Sequence, residues 1–192
     1  MAGPSTELSP VIAASTCWLA RAYPPADPGA VAHALAELQA RQAVTVAALL
    51  RYPTRMDAAL VAIAGPGGSA VLDWRAGSEP DDDHAEHEGW RTWVDEVVVS
   101  WAACLLADPM LAVRAVKAVA AAAPPDRAER PHPGPGGRSA NHPSEFRRLT
   151  APDERDRAAG VLLRHPDLLE PVAEMHRETL RYLLGVASPL PA

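Results

Sequence analysis

Apolar residues recur every three or four positions along most of the chain, which is the spacing of one face of an α-helix. Prolines and glycine-rich segments interrupt this pattern at intervals and mark the helix ends. The pattern predicts helices over residues 10–23, 28–51, 54–64, 82–107, 109–123, 144–149, 152–164 and 166–184.

The longest single stripe lies in residues 28–51, where apolar and small polar residues step by alternating fours and threes. Its members are Val31, Leu35, Leu38, Gln42, Thr45 and Leu49. The second half of this segment, AVTVAALL, is apolar on nearly every side. Because a helix that is apolar all round is normally buried, we expect this helix to be central.

Three leucine pairs are each followed, after two further residues, by a proline, within residues 48–60, 104–116 and 161–173. The residue before a proline disfavours the helical conformation, whereas the proline itself suits the first turn of a helix. We therefore predict that Tyr52, Asp108 and His165 each separate two helices. The segment AVLDW, residues 70–74, is interpreted as a short extended piece.

The segment 124–145 contains six prolines and almost nothing to bury. Burial cannot offset the entropy of ordering such a segment, so we predict a flexible linker. The expected fold is all-α: a bundle of six or seven helices whose main body is residues 8–123. Residues 146–185 are expected to form a C-terminal helical pair that packs on this bundle or on a second copy of the chain.

The charge balance narrows the range of partners. The chain has 18 Lys and Arg residues against 24 Asp and Glu residues, which gives a net charge of −6. Because nucleic-acid binding relies on a basic surface, we expect no nucleic-acid partner. Lys117 is the only lysine, and the high Arg, Ala and Pro content is typical of a high-GC bacterial genome.

The cysteines and the apolar segments indicate in which cellular compartment the protein is expected. Cys17 and Cys104 both lie in apolar helical segments and are expected to be buried thiols in a reducing environment. The first residues lack the basic stretch of a secretory signal peptide. The run 97–123 is broken by charged residues and Pro109, so it lacks the ~20 uninterrupted apolar residues of a membrane span. These features predict a cytoplasmic protein without a membrane partner.

The segment EPDDDHAEHEGW, residues 79–90, places His84 and His87 among six carboxylates at the start of a predicted helix. The helix dipole accounts for the carboxylates but not for the histidines, which lie on adjacent turns and can share one ion. A metal site needs further ligands, and His176, on the apolar face of the last predicted helix, is the candidate. The resulting hypothesis is a site for a divalent transition metal such as zinc. The alternative is that His176 is a core histidine with a hydrogen bond to the backbone.

The tryptophans Trp90, Trp93 and Trp101 lie on or beside the apolar stripe of the predicted helix 82–107. Two interpretations stay open: they fill the core, or they line a pocket for a small apolar ligand.

No recognisable catalytic motif is present, whereas amphipathic helices are abundant. The leading hypothesis is therefore a non-catalytic interaction or regulatory protein, without a cofactor, that binds another protein or a second copy of itself. Two alternatives remain. One is a metal-dependent helical-bundle enzyme that uses His84, His87 and His176, and the other is a bundle that binds a small apolar ligand.

Overall fold

The structure, a computed structural model, describes residues 4–25, 29–77, 89–122, 143–160, 163 and 165–186. Throughout these residues the chain forms helices and turns, and no strand occurs among them. The predicted all-α fold is confirmed. None of the helices in this part of the chain is long and apolar enough to cross a membrane.

The α-helices are α1 (Pro4–Glu7), α2 (Ser9–Ala22), α3 (Ala30–Arg51), α4 (Arg55–Ala64), α5 (Ala70–Ala76), α6 (Glu96–Ala107), α7 (Pro109–Ala122), α8 (Arg147–Thr150), α9 (Glu154–Ala159), α10 (Glu170–Ala173) and α11 (Arg177–Leu183). Three 3₁₀ helices join them: η1 (Gly89–Trp93), η2 (Pro143–Phe146) and η3 (Pro166–Leu169).

Helix α3 lies at the centre and packs mainly against α6 and α2, as its apolar second half predicts. The apolar stripe along it is only partly buried, since Leu49 packs against the core. Val31 and Leu38 are exposed, whereas the face that meets the core is rich in alanine and includes Ala40, Ala43 and Ala47. Small side chains let helix backbones approach closely, so packing on several sides selects the alanine face rather than the face with the largest side chains.

The C-terminal part of the chain packs into the same apolar core as the central helix α3. Phe146, Leu149, Leu169, Val172 and Leu180 belong to the same apolar core as the residues of α2, α3 and α6. Most of the predicted linker, residues 123–142, lies outside the described residues, so its flexibility and the division into two parts stay predictions.

The predicted helix 82–107 is interrupted within its described part. Residues 78–88 lie outside the described part of the chain, η1 covers Gly89–Trp93, and α6 starts only at Glu96. Asp95 has extended backbone geometry, and its carboxylate accepts a 3.0 Å hydrogen bond from the Val98 N–H. An N-cap aspartate starts a new helix in this way, so Asp95 separates η1 from α6.

The three residues before proline behave as predicted. Their φ and ψ angles are −125° and 70° at Tyr52, −129° and 98° at Asp108, and −129° and 68° at His165. All three lie outside the helical region, because the proline ring excludes that conformation for its predecessor.

The AVLDW segment is helical rather than extended, since it forms most of α5. Gly77, with a φ of 69°, ends this helix in the left-handed conformation that glycine adopts without steric cost. This short helix packs one face against the core, since Leu72 is buried while Val71 is exposed.

Candidate functional site

The predicted metal site is described only in part. His84 and His87 lie outside the described residues, so their position relative to His176 stays a prediction. Within the described ranges, no three His, Cys, Asp or Glu side chains are close enough together to hold a metal ion.

His176 lies in the turn between α10 and α11 and not within a continuous helix. Its backbone N–H donates to Ser100 Oγ at 3.1 Å, and its carbonyl oxygen accepts from Trp101 Nε1, also at 3.1 Å. The imidazole Nε2 is 3.0 Å from Glu96 Oε1. The residue is therefore held on its backbone and on its ring by α6, with the ring half-buried rather than enclosed in the core.

The same part of α6 explains why the predicted helix 166–184 is broken. The Ala173 carbonyl oxygen accepts hydrogen bonds from Ser100 Oγ at 3.2 Å and from Cys104 Sγ at 3.4 Å. Side chains of α6 thus bind backbone groups that a continuous helix would pair internally. The apolar face also ends early, because Leu183 is exposed although Leu180 is buried.

The three predicted tryptophans occupy different environments. Trp101 is buried, and its indole N–H donates a hydrogen bond to the His176 carbonyl oxygen. Trp90 and Trp93 are half-buried against the core. The Trp90 ring packs beneath Arg21 and Arg91, whose guanidinium carbons lie 5.1 and 5.8 Å from the ring centroid. Trp101 therefore fills the core, as one of the two interpretations predicted. Binding of a small apolar ligand by Trp90, Trp93 and Trp101 stays a prediction.

Sequence reasoning missed a buried carboxylate, Asp73 on α5. Trp18 Nε1 donates to Asp73 Oδ1 at 2.8 Å, Ser69 Oγ donates to Oδ2 at 3.1 Å, and Arg91 forms an ion pair with the same carboxylate. A buried carboxylate is stable only when its oxygens are paired, and these partners supply that pairing. The group joins α2, α5 and η1, and we assign it a structural role. The lone aspartate within AVLDW was the available signal.

A second buried carboxylate, Asp95, accepts a hydrogen bond from the Tyr52 hydroxyl as well as capping α6. Burial, together with the neighbouring Asp95 carboxylate, raises the pKa of the Tyr52 hydroxyl above its usual range. The phenol therefore stays protonated and donates a hydrogen bond to the Asp95 carboxylate. This pair fixes the corner after α3 to the start of α6.

Cys104 lies beside an ion pair between Arg177 and Glu170, in which two N–O distances are 2.7 and 2.6 Å. Burial raises the pKa of the Cys104 thiol. A reactive cysteine requires the thiolate, so a thiol with a raised pKa is a poor nucleophile. The environment of Cys104 indicates packing and not catalysis.

Helix α4 presents a surface that sequence reasoning did not single out. Met56, Leu60 and Ile63, at spacings of four and three, lie on one face and are 69%, 56% and 84% exposed. We call these three residues the α4 surface. Its helix is well defined at its start, where Thr54 and Asp57 cap each other's backbone N–H with contacts of 3.2 and 3.1 Å.

No family model matches the chain, and no curated protein or solved structure matches it either. The functional assignment therefore depends on the sites themselves.

Proposed function

We propose that the protein is a non-catalytic interaction module and that a second copy of the chain binds at the α4 surface. The observation that carries this proposal is the exposure of three large apolar side chains on one face of α4. Contiguous apolar surface of this kind is uncommon on monomeric proteins and marks interaction sites.

The amphipathic pattern of α4 is inverted. The residues that it buries, Ala58 and Val61, are small, whereas the larger Met56, Leu60 and Ile63 face outward. The helix therefore exposes its larger apolar side chains and buries smaller ones. Each Å² of apolar surface that an interface buries contributes about 25 cal/mol, so a partner that covers this face is stabilised by burial itself.

A second copy is the partner that this surface suits. The chain carries no charged residue between Asp57 and Asp73, and Asp73 is buried. Arg55 and Asp57 lie beside Met56 at the start of α4, so the part of the surface around Leu60 and Ile63 is the part without charged neighbours along the helix. Two α4 helices packed across a two-fold axis would use every contact twice, which doubles the area that one short helix contributes. The residues after α4, GPGG, carry no long side chain that would obstruct this approach.

Light scattering after size-exclusion chromatography tests self-association, over protein concentrations from about 1 to about 200 µM. We expect the native chain to become dimeric within this range. The double variant Leu60→Glu/Ile63→Glu should stay monomeric throughout, because each dimer would bury four unpaired carboxylates. Its circular dichroism should match that of the native chain, since both positions are exposed.

Met110→Glu is the matched control. Met110 is 70% exposed on α7, outside the α4 surface, so this variant should dimerise like the native chain. A native chain that is monomeric at every concentration would contradict the proposal. So would dimers that the double variant leaves intact.

The metal-dependent alternative is favoured by one observation, the 3.0 Å contact between His176 Nε2 and Glu96 Oε1. Metal-binding histidines commonly have one ring nitrogen bonded to a carboxylate, which orients the other. If His84, His87 and His176 hold a metal, protein purified without chelator should contain about one zinc, iron or nickel ion per chain by mass spectrometry.

His176→Ala should abolish this metal content. His165→Ala, at an exposed histidine eleven positions earlier, should retain it. Native protein that carries no metal would exclude this alternative without affecting the dimer proposal.

A further inference from the structure

We propose that the cleft between α2 and α3 is a binding site for a small organic anion that has an apolar body. The inference is independent of the α4 surface. The cleft has a volume of about 540 Å³, and its walls come from α2, α3 and the two prolines after α2. Ligand sites in proteins typically enclose ~300–1,000 Å³, so this space suits a small molecule.

The cleft is lined by exposed or half-buried alanines, which we call its floor, and by charged residues, which we call its rim. Ala13 and Ala20 on α2 and Ala36 on α3 supply small apolar surfaces. Their shortness is what leaves the space open, since bulkier residues at these positions would fill it. An apolar ligand body can therefore lie along the floor while a polar group stays at the rim.

The charge of the rim favours an anion. Arg21 on α2 and Arg41 on α3 both line the cleft, against a single carboxylate, that of Glu37. In the part of the chain that the structure describes, neither Arg41 nor Glu37 forms an ion pair. Arg21, whose guanidinium group lies over the Trp90 ring, and Arg41 on the facing helix give the lining two positive charges against one negative charge. A carboxylate, sulfonate or phosphate group fits such a site.

A buried hydroxyl group is a second and independent indication of a ligand. Thr16 lines the cleft and is only 4% exposed, and its Oγ1 has no hydrogen-bond partner. Leaving a buried hydroxyl unpaired is unfavourable. Threonine in a helix adopts two side-chain rotamers, so the hydroxyl can change its direction when a ligand occupies the cleft. A polar atom of the ligand would then supply the missing partner.

Cys17 and His33 also line the cleft. A cysteine beside a histidine is the residue pair of a nucleophile and its base. For the proposed ligand, both side chains supply lining contacts.

Calorimetry with 2-naphthoate tests the site, since this compound combines an apolar body with one carboxylate. We expect saturable binding of one molecule per chain. Its cationic counterpart, 2-(aminomethyl)naphthalene, should bind at least about tenfold more weakly because it meets two guanidinium groups. Arg41→Glu should weaken naphthoate binding by a similar factor.

Variants at alanine positions locate the binding. Ala13 is exposed and lines the cleft, so Ala13→Trp should block it and abolish naphthoate binding without unfolding the chain. Ala34→Trp, at an exposed alanine of α3 that does not line the cleft, is the matched control and should bind normally. Leu60→Glu should also bind normally, which excludes the α4 surface as the location.

The role of the hydroxyl has its own control, because Ser15 Oγ is likewise buried without a partner but does not line the cleft. Thr16→Val and Ser15→Ala should both raise the melting temperature of the free protein, since each removes an unpaired buried group. Only Thr16→Val should weaken naphthoate binding, by about threefold to tenfold. Equal binding by both variants would contradict the assignment of Thr16.

Cysteine alkylation gives a readout that does not depend on any variant. The Cys104 thiol is buried and donates a hydrogen bond to the Ala173 carbonyl oxygen, so iodoacetamide should modify the half-buried Cys17 first. Saturating naphthoate should slow the modification of Cys17, measured by peptide mass spectrometry. Absence of naphthoate binding, binding that Ala13→Trp leaves unchanged, or an unprotected Cys17 would each overturn the proposal.

Discussion

Single buried polar side chains connect parts of this chain that are far apart in sequence. Gln39, at the middle of α3, is almost fully buried, and its Nε2 donates to the Asp156 carbonyl oxygen at 2.8 Å. Asp73 similarly joins α5 to Trp18, 55 residues earlier. Because an unpaired buried polar group is unfavourable, each of these side chains requires one particular arrangement of the helices around it.

At Gly160 this requirement predicts a sensitive position. A Cβ placed there would overlap Gln39 Oε1 and lie 3.2 Å from the Asp156 carbonyl oxygen. Gly160→Ala must therefore shift the buried Gln39 amide, whose Nε2 donates to Asp156, and we expect the free energy of unfolding to fall by about 1–3 kcal/mol. Urea denaturation measures this change.

Gly68→Ala is the control for this substitution, because nothing lies within 4 Å of a Cβ at Gly68. It should leave the free energy of unfolding nearly unchanged. Similar values for the two variants would show that Gln39 moves aside without cost.

At the scale of helices, side chains of one element decide where another ends. Ser100 and Cys104 of α6 bind the Ala173 carbonyl oxygen, and Ser100 also accepts the His176 N–H. These bonds replace internal helical bonds between α10 and α11. The amphipathic pattern of residues 166–184 predicted one helix, because the pattern does not register hydrogen bonds from a distant element.

Ser100→Ala tests this explanation. It removes the acceptor of the His176 N–H and leaves that buried contact unmade, so we expect a loss of about 1–3 kcal/mol in the free energy of unfolding. Amide hydrogen exchange at His176 should become faster than in the native chain. Ser15→Ala, which removes a buried hydroxyl without a partner, should not destabilise. A loss for Ser15→Ala as large as that for Ser100→Ala would contradict the explanation.

At the scale of the described molecule, small residues line parts of the core and several large apolar residues are exposed, although leucines such as Leu105 and Leu106 are also buried. Alanines line the buried face of α3 and the floor of the α2–α3 cleft, whereas Val31, Met56 and Ile63 are exposed. Close helix packing, the open cleft and the α4 surface thus share one cause, the distribution of side-chain size. This distribution is the reason to expect one site for a small molecule and another for a second copy of the chain.

The sequence by itself determined the all-α fold, the central position of residues 30–51 and the non-helical backbone at Tyr52, Asp108 and His165. These features depend on periodicity and on steric restrictions between neighbouring residues, which are local. The positions of His84 and His87, and with them the predicted metal site, remain predictions.

Only the tertiary structure decided which face of α3 is buried, where the helices after Pro166 end, and which partners Asp73 and His176 have. The sequence separates His176 from Ser100 by 76 positions, and no periodicity indicates that their atoms meet. Burial and buried hydrogen bonds depend on all the surrounding elements at once, so they are defined only when those elements have packed.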